Sequence, residues 1–236
     1  GLPMALNLLA AGHRVTSRSR DAGRTARFAR AGGVVGDSWA EALDDADVVI
    51  TVLPDGGVVR DLIERPDGVA RCVGPGALMI DMSTTSPADA RSVGARCAQL
   101  GIDFIDAPVS GGPARAGAGD LLVVVGADDD TWAAAEDVLE VMASTLVRVG
   151  DAPGDGQAMK TVNQLLCGVH IAAAGEALAL ARALGLDAEV ALKAPMSGAA
   201  SSFMLGDSGP RMLQVSDEDA GSAEVRASLN TFVTDM

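Results

Sequence analysis

The chain contains few of the residues that metal sites and many catalytic triads need. It has two histidines, His13 and His170, and three cysteines, Cys72, Cys97 and Cys167. The cysteines lie far apart and lack the short spacings of metal ligands, so we expect neither a metal site nor a disulfide framework. With only two histidines, a histidine-based metal site or a Ser-His-Asp triad is not favoured. Free thiols suit a reducing compartment, and we expect a cytoplasmic protein.

Positive charge and long apolar runs are also scarce. Acidic residues outnumber Lys and Arg by 32 to 18, which gives a formal net charge of −14 and a pI near 4.4. Such a surface repels the phosphate backbone of nucleic acids and anionic lipid headgroups. No uninterrupted apolar run reaches the roughly 18 residues of a membrane span. We therefore expect no nucleic-acid partner and no membrane partner.

Short apolar segments alternate with helical segments over the first part of the chain. Segments such as DVVITVL and LLVVVG have the composition of buried strands. Strands that alternate with helices indicate an α/β fold with a parallel sheet. After Gly150 the strand signals stop, and the following sequence is typical of helices. We predict a Rossmann-like dinucleotide-binding domain over residues 1–151 and an all-helical domain over residues 152–236.

The second predicted domain begins with one long helix over residues 154–184. Its interior is rich in Ala and Leu, and Gly185 follows at a position where helices often end. Spacings of three and four residues place Lys160, Asn163 and Gln164 on one face. A mostly apolar stripe continues down the same side, formed by Cys167, Ile171, Ala174, Leu178 and Ala181. The pattern fits either a core helix with a solvated first turn or a helix that delivers an amine and two amides to a cleft.

Loops with proline, hydroxyl or glycine residues follow three of the predicted strands. They are Leu53-Pro54, Ser83-Thr84 and Ser110-Gly111-Gly112. Ligands of open α/β sheets bind at the carboxyl ends of the strands, so these loops are candidates for one shared site. The hydroxyls of the second loop suit a carboxylate or an amide, and the backbone amides of the third can close around a carboxylate. The structural alternatives are a strand-ending proline, helix capping by Ser83, Thr84 or Thr85, and a plain flexible loop.

The first helix starts at Gly1, and the first strand ends in the basic triplet Arg18-Ser19-Arg20. In a dinucleotide-binding fold the helix N-terminus receives the pyrophosphate, and the strand end lies beside the adenosine ribose. Arginine there suits the 2′-phosphate of NADP, whereas an acid suits the 2′-hydroxyl of NAD. We expect NADP as the cofactor, with NAD as the second option because Asp21 comes next. A solvated basic turn is the structural alternative.

Five segments carry a resemblance to a known family. They are GLPMALNLLAAGHRV, LPD, DMST, FIDAPVSGGPARAGAGDL and GDGQAMKTVNQ. In this order and spacing they resemble the β-hydroxyacid dehydrogenases, which include 3-hydroxyisobutyrate dehydrogenase, tartronate semialdehyde reductase and L-threonate dehydrogenase. Residues 162–187 and the segment ASLNTFVTDM are most similar to the L-threonate branch. The resemblance covers nearly the whole chain and implies an NAD(P)-dependent oxidoreductase that interconverts a small 3-hydroxy acid and its oxo acid or semialdehyde.

The resemblance also implies roles for the residues that match the family motifs. Lys160 matches the catalytic lysine, which is the general base in oxidation and the general acid in reduction. Asn163 matches the amide that holds the substrate hydroxyl. The matches for substrate binding are Ser83, Ser110, Gly111, Gly112 and Gln164. The matches for cofactor binding are Gly1, Pro3, Met4, Ser19, Arg20, Leu53, Pro54 and Thr84.

Two features depart from the family pattern. A Lys-Asp pair usually ends this region and its lysine reaches the cofactor, but Thr234 precedes Asp235 here. The motifs also run past both ends of the chain, so we expect a preceding strand and further C-terminal helices in the natural protein. A catalytically silent dinucleotide-binding module and an imine reductase relative are the alternatives. Lys160 and Asn163 together argue against the silent module, and Lys160 argues against the imine reductase relative. The long Ala-rich helix suggests a homodimer or a higher homo-oligomer.

Overall fold

The structure, a computed structural model, describes residues 1–214. The chain divides into two compact units, Gly1–Lys160 and Thr161–Met236. The sequence places the boundary at residues 151 and 152, whereas the contacts group the first turn of the long helix with the first unit. Two features named above, the ASLNTFVTDM segment and the Thr234-Asp235 departure, lie outside the described residues.

The first unit combines short strands with helices in alternation. The strands are β1 (Thr16–Ser17), β2 (Val34–Val35), β3 (Val48–Thr51), β4 (Leu78–Asp81), β5 (Asp103–Asp106), β6 (Val109–Ser110), β7 (Leu121–Gly126) and β8 (Ala143–Gly150). The helices are α1 (Leu2–Ala10), α2 (Ala22–Arg30), α3 (Trp39–Leu43), α4 (Gly56–Glu64), α5 (Val69–Cys72), α6 (Pro87–Gln99), α7 (Gly112–Gly117) and α8 (Asp129–Glu140). They are followed by α9 (Asp155–Ala183), α10 (Ala188–Met196) and α11 (Phe203–Met212).

The larger sheet is mixed and not parallel throughout. Strands β3, β4 and β5 are parallel neighbours, and β8 is parallel to β7. Strand β7 runs antiparallel to both β5 and β6, and β1 and β2 form a separate parallel pair. The predicted Rossmann-like α/β fold is confirmed, but the prediction of a parallel sheet is wrong for β6 and β7. The link between these two strands is shorter than a parallel crossover needs, so the chain turns back on itself.

Both faces of this sheet are covered, which explains the near-continuous apolar strands. In β4, Leu78 and Ile80 belong to a cluster that also contains residues of α1 and α8. Met79, between them, points to the other face and packs in a cluster with Val59 of α4 and Val93 of α6. Side chains alternate between the faces of a strand, and a strand buried on both faces therefore needs apolar residues at successive positions.

The long helix predicted from the sequence is confirmed as α9, a single helix of 29 residues. Gly185 follows it with φ of 73°, a left-handed conformation that glycine adopts at helix ends. Part of its predicted apolar stripe packs within the second unit. Ala174 forms a buried cluster with Leu192 of α10 and Leu205 of α11, and Leu178 packs against this cluster.

By length and composition alone, α9 is also apolar enough to cross a membrane. Its most apolar window has a mean hydropathy of 1.5, and 17% of that window is buried within the described residues. The sequence predicts no span, because polar residues such as Asn163 and His170 interrupt the apolar runs. Apolar helices that lie in the core or at a subunit interface of water-soluble proteins have the same composition, so this property is weak evidence for a membrane.

Candidate active site

The carboxyl ends of β3, β4 and β5 lie side by side at one edge of the sheet. Thr51, Asp81 and Asp106 are register partners across the three parallel strands. The Thr51 hydroxyl donates to Asp81 Oδ1 at 2.8 Å, which links the ends of β3 and β4. The segments that follow these strands therefore start from the same edge, as the sequence predicts.

Ser83 joins two of the predicted loops. Its Oγ accepts a hydrogen bond from the Leu53 backbone N–H at 2.9 Å, and its own N–H donates to Asp81 Oδ1 at 3.1 Å. Only 2% of Ser83 is exposed. The buried hydroxyl thus holds the Leu53-Pro54 loop in place beside the loop after β4. The sequence predicts substrate contact for this residue and gives no hint of this structural task.

The alternative that Ser83, Thr84 or Thr85 caps the next helix is wrong. Ser86 is the N-cap of α6, and its Oγ accepts from the Asp89 N–H at 3.0 Å. A hydroxyl at that position accepts from the third residue of the helix, so the cap cannot lie farther upstream. Thr84 is partly exposed at this edge of the sheet.

The segment Ser110-Gly111-Gly112 is an ordered strand–turn–helix and not a plain flexible loop. Ser110 ends β6, Gly111 is the N-cap of α7, and Gly112 is the first residue of that helix. Gly111 and Gly112 have φ values of 141° and 71°, which residues with side chains rarely adopt. A Cβ at Gly112 would meet no atom within 4 Å, so the space beside its backbone is open. Backbone amides in such a turn are accessible to a ligand.

The N-terminus of α1 lies next to the end of β3. Gly1 is its N-cap, and a Cβ built on Gly1 would lie 3.7 Å from the Cβ of Val52. Pro3 stands in the first turn, where its missing N–H costs nothing. The side chain of Met4 is buried in the core, so Met4 can offer a ligand only its backbone.

The basic triplet after β1 is exposed. Arg18 Nη1 donates to the Gly36 carbonyl at 3.2 Å, and Ser19 Oγ accepts from the Asp21 N–H at 3.2 Å. Within residues 1–214, Arg20 makes no hydrogen bond or ion pair. Asp21 is the N-cap of α2 and accepts from the Arg24 N–H at 2.9 Å. Its carboxylate is therefore engaged within the protein, while the guanidinium of Arg20 is available.

Lys160, Asn163 and Gln164 all lie on α9, in the helical spacing that the sequence predicts. Lys160 is 7% exposed and belongs to the first unit, whereas Asn163 and Gln164 are partly buried and belong to the second. Asn163 Oδ1 accepts a weak hydrogen bond from Cys167 Sγ at 3.8 Å. A nearly buried lysine is unusual, because burial of an ammonium group is costly without a compensating environment or a function.

Two family descriptions match the chain. Residues 1–150 match the NAD-binding domain of 6-phosphogluconate dehydrogenase. Residues 154–230 match the NAD-binding domain of NADP-dependent 3-hydroxyisobutyrate dehydrogenase. The two matches follow one another along the chain in the order of its two predicted domains. The chain belongs to the β-hydroxyacid dehydrogenase family.

Relatives and solved structures agree with this assignment. The L-threonate dehydrogenase of Cupriavidus necator is 35% identical over the whole chain, which covers 77% of that protein. A probable 3-hydroxyisobutyrate dehydrogenase of Mycobacterium tuberculosis is 44% identical over 80% of the chain and 63% of the relative. The crystal structure of 3-hydroxyisobutyrate dehydrogenase from Salmonella typhimurium is 32% identical, with a TM-score of 0.87 over 100% of the chain and 80% of that protein. The chain is thus an NAD(P)-binding dehydrogenase.

Asp106 is a residue of this dehydrogenase that the sequence motifs do not single out. Its side chain is 0% exposed, and its two carboxylate oxygens accept from the N–H groups of Gly154 at 2.8 Å and Gln157 at 2.7 Å. Burial raises the pKa of Asp106 to about 6, and the two amide donors only partly offset this effect. Burial likewise raises the pKa of the neighbouring Asp81. An acid at the end of an apolar strand is the signal in the sequence that points to such a residue.

The raised pKa of Asp106 predicts an unusual pH dependence of stability. Because the folded protein binds this proton more tightly than the unfolded chain, the free energy of unfolding gains from Asp106 as pH falls from about 6 to about 4. The gain approaches about 1.4 kcal/mol per pH unit inside that window. In urea unfolding, the free energy of unfolding of the wild type relative to that of Asp106→Asn should therefore increase as the pH is lowered.

The comparison of the two proteins removes the effects of other acids. Asp120 and Asp128 have lowered pKa values, because they accept hydrogen bonds from Arg115 and from Thr131. Their contribution to the free energy of unfolding is lost at low pH, and this loss is equal in both proteins. A difference in unfolding free energy that stays constant from pH 7 to pH 4.5 would contradict the raised pKa.

Proposed function

We propose that this dehydrogenase oxidises a small 3-hydroxy acid to the corresponding oxo acid or semialdehyde, with NADP as the preferred cofactor, and catalyses the reverse reduction. The observation that carries the proposal is Lys160, an amine at 7% exposure on a helix whose first turn is bonded to the loops at the carboxyl edge of the sheet. Ligands of open α/β sheets bind at that edge.

The catalytic roles follow from the chemistry of the side chains. In the oxidation, the amine of Lys160 accepts the proton of the substrate hydroxyl as the C–O bond becomes a carbonyl, and it returns that proton in the reduction. The amide of Asn163 orients the hydroxyl oxygen. Ser110, Gly111 and Gly112 hold the substrate carboxylate through the hydroxyl and the open backbone amides, and Ser83 and Gln164 are further substrate-binding residues.

The chain's residues fit a nicotinamide dinucleotide. Bound nicotinamide supplies the hydride acceptor for the oxidation and the hydride donor for the reduction. The first turn of α1 offers the backbone N–H groups of Gly1, Leu2 and Met4 to the pyrophosphate, and Pro3 fixes the helical start. Ser19 and Arg20 serve the ribose end. Leu53, Pro54 and Thr84, at the ends of β3 and β4, are further cofactor-binding residues.

A substrate panel tests the proposal. Threonate, 3-hydroxyisobutyrate, glycerate and 3-hydroxypropionate are each offered with NADP and with NAD, and reduction of the nicotinamide is followed by its absorbance. Turnover of at least one hydroxy acid supports the dehydrogenase. Cofactor binding without turnover of any of them would favour a silent binding module, and reduction of cyclic imines without oxidation of hydroxy acids would favour the imine reductase alternative.

The exposed basic triplet predicts a preference for NADP over NAD. A charge-assisted contact to phosphate contributes about 1.5–3 kcal/mol, which corresponds to roughly a 10- to 100-fold change in affinity. Arg20→Ala should therefore raise the KM for NADP by about that factor and leave the KM for NAD almost unchanged. Steady-state kinetics with both cofactors measures the two values.

Arg27→Ala is the matched control for this prediction. Arg27 is exposed on α2, the helix that follows Arg20 and Asp21, and within residues 1–214 it makes no hydrogen bond or ion pair. Its removal changes the net charge equally and should leave both KM values unchanged. Equal KM values for NADP and NAD in the wild type, unaffected by Arg20→Ala, would contradict the preference.

We further propose a homodimer or higher homo-oligomer that covers the exposed side of α9. Val162, Leu165, Leu166 and Val169 are each more than half exposed on this helix. A row of large apolar residues on one helix is typical of a protein interface. Sedimentation velocity should show an oligomer for the wild type and a smaller species for Leu166→Lys.

Val34→Lys serves as the control for the oligomer, because Val34 is similarly exposed at 51% but lies on β2. It should sediment like the wild type. A monomeric wild type would contradict the oligomer. Sedimentation of the wild type with lipid vesicles would instead point to a membrane role for α9.

A further inference from the structure

The first turn of α9 is capped by a residue that lies far away in the sequence. The N–H groups at the start of a helix have no partner within the helix. Here the carboxylate of Asp106, at the end of β5, accepts from two of them, at Gly154 and Gln157. The cap thus comes from a buried strand end and not from the residue before the helix. Hydrogen bonds to a charged acceptor are stronger than neutral ones, so this contact fixes the start of α9 against the sheet.

A second connection runs from the same turn to the loop after β4. Gln157 is 0% exposed. Its Nε2 donates to the Ser83 carbonyl at 2.9 Å, and its Oε1 accepts from the Thr85 N–H at 3.0 Å. The two ends of one side-chain amide therefore hold the backbone on both sides of Thr84. The loop that contains two of the proposed ligand contacts is bonded directly to α9.

The helix backbone itself approaches the strand ends closely. A Cβ on Gly156 would lie 2.6 Å from the Asp106 carbonyl oxygen and 2.9 Å from the Val124 carbonyl oxygen. Such distances leave no room for a side chain. The first turn of α9 therefore has a single position relative to β5 and β7, set by Asp106 and Gln157 through hydrogen bonds and by Gly156 through close packing.

We propose that Asp106 and Gln157 are positioning residues for the Lys160 amine, an assignment that rests on the proposed function. Lys160 follows Gln157 by three residues, so the two side chains lie on one face of the helix. Neither Asp106 nor Gln157 has to touch the substrate. They fix the position of the first turn along the helix axis and its rotation about that axis. In this way they set where the amine meets the substrate hydroxyl. Displacement of a catalytic group by about 1 Å can cost about 100-fold in rate.

The test separates a positioning role from a general loss of structure. Asp106→Asn keeps the shape but turns an NH₂ group toward a backbone donor, and Gln157→Met keeps the length but removes both hydrogen bonds. Each should lower the rate of single-turnover hydride transfer at pH 7.5 by about 10- to 100-fold, with the Kd for NADP within about twofold of wild type. Gln157→Glu, which keeps the acceptor for the Thr85 N–H, should lose less than Gln157→Met.

The decisive measurement repeats both substitutions in a Lys160→Ala background. If Asp106 and Gln157 act through the amine, each substitution should lower the residual rate there by less than about twofold, because residues that act as a unit are not additive. Asp128→Asn is the matched control. Asp128 caps α8 by accepting from the Thr131 N–H at 2.9 Å, in the same unit, and its loss should leave the rate unchanged.

Two results would overturn the assignment while leaving the proposed function intact. One is a rate near that of wild type in Asp106→Asn and Gln157→Met while Lys160→Ala is impaired. The other is an equal loss of rate of about 10- to 100-fold in the wild-type and the Lys160→Ala backgrounds, which would show that the two residues act on the fold and not on the amine. A wild-type enzyme that oxidises no 3-hydroxy acid, or a fully active Lys160→Ala variant, would overturn the proposed function itself.

Discussion

Lys160→Ala should lower kcat for oxidation of the best 3-hydroxy acid by about 10²- to 10⁴-fold, the usual cost of losing a general acid–base group. The Kd for NADP should stay close to that of the wild type, since the amine transfers a proton and does not hold the dinucleotide. The loss should appear in both directions of the reaction, because the same amine gives the proton back. Steady-state kinetics and fluorescence titration with NADPH provide the two measurements.

Lys193→Ala is the control for this substitution. Lys193, the other lysine of the chain, is exposed on α10 and pairs with Glu189 at 2.7 Å. Surface ion pairs of this kind contribute little to stability, so the variant should keep full activity and a normal fold. A kcat for Lys160→Ala within a few-fold of wild type would remove Lys160 from the mechanism.

Gly156→Ala should destabilise the fold and lower the activity, because the added methyl group has no space between α9 and the strand ends. The new Cβ would collide with backbone oxygens of Asp106 and Val124, and backbone atoms cannot move aside as the end of a flexible side chain can. Overpacking of this kind costs about 1–3 kcal/mol and occasionally more. The variant should unfold at a lower denaturant concentration, and its activity should fall because the first turn of α9 is pushed away from β5.

Gly74→Ala tests whether the addition of a methyl group to glycine is itself harmful. A Cβ on Gly74 would meet no atom within 4 Å, and its backbone does not have a positive φ. The free energy of unfolding of this variant should stay within about 0.5 kcal/mol of wild type. Gly156→Ala with wild-type stability and activity would show that the helix can shift without consequence, against the packing described above.

The sequence predicts those parts of the fold that are determined by local pattern. Strands β3, β4, β5 and β7 are recognisable because burial on both faces demands consecutive apolar residues. Helix α9 is recognisable because Ala and Leu favour helix and its polar residues recur at helical spacing. The same spacing brings Lys160, Asn163 and Gln164 to one face. These predictions need no knowledge of which segments meet in space.

The missed features depend on contacts between distant segments. Strand β6 and helix α7 are too short to leave a pattern, and they exist because Gly111 and Gly112 adopt positive φ values while Ser110 pairs with Leu122 of β7. The cap on α9 comes from Asp106, 48 residues before Gly154. No periodicity links the two residues. The sequence therefore shows the motif that contains Asp106 and the motif that contains Gly154, but not the hydrogen bond between them.

The origin of that cap has a consequence for the order of folding. A helix N-terminus capped by its own preceding residue can form early, but we expect the start of α9 to become fixed only after β4 and β5 are paired and Asp106 is buried. Contacts of large sequence separation form late because closing the intervening loop costs entropy. In hydrogen exchange, the Gly154 and Gln157 amides should therefore exchange only by global unfolding. The amides on the exposed part of α9, around Leu166, should exchange earlier through local opening in the monomer.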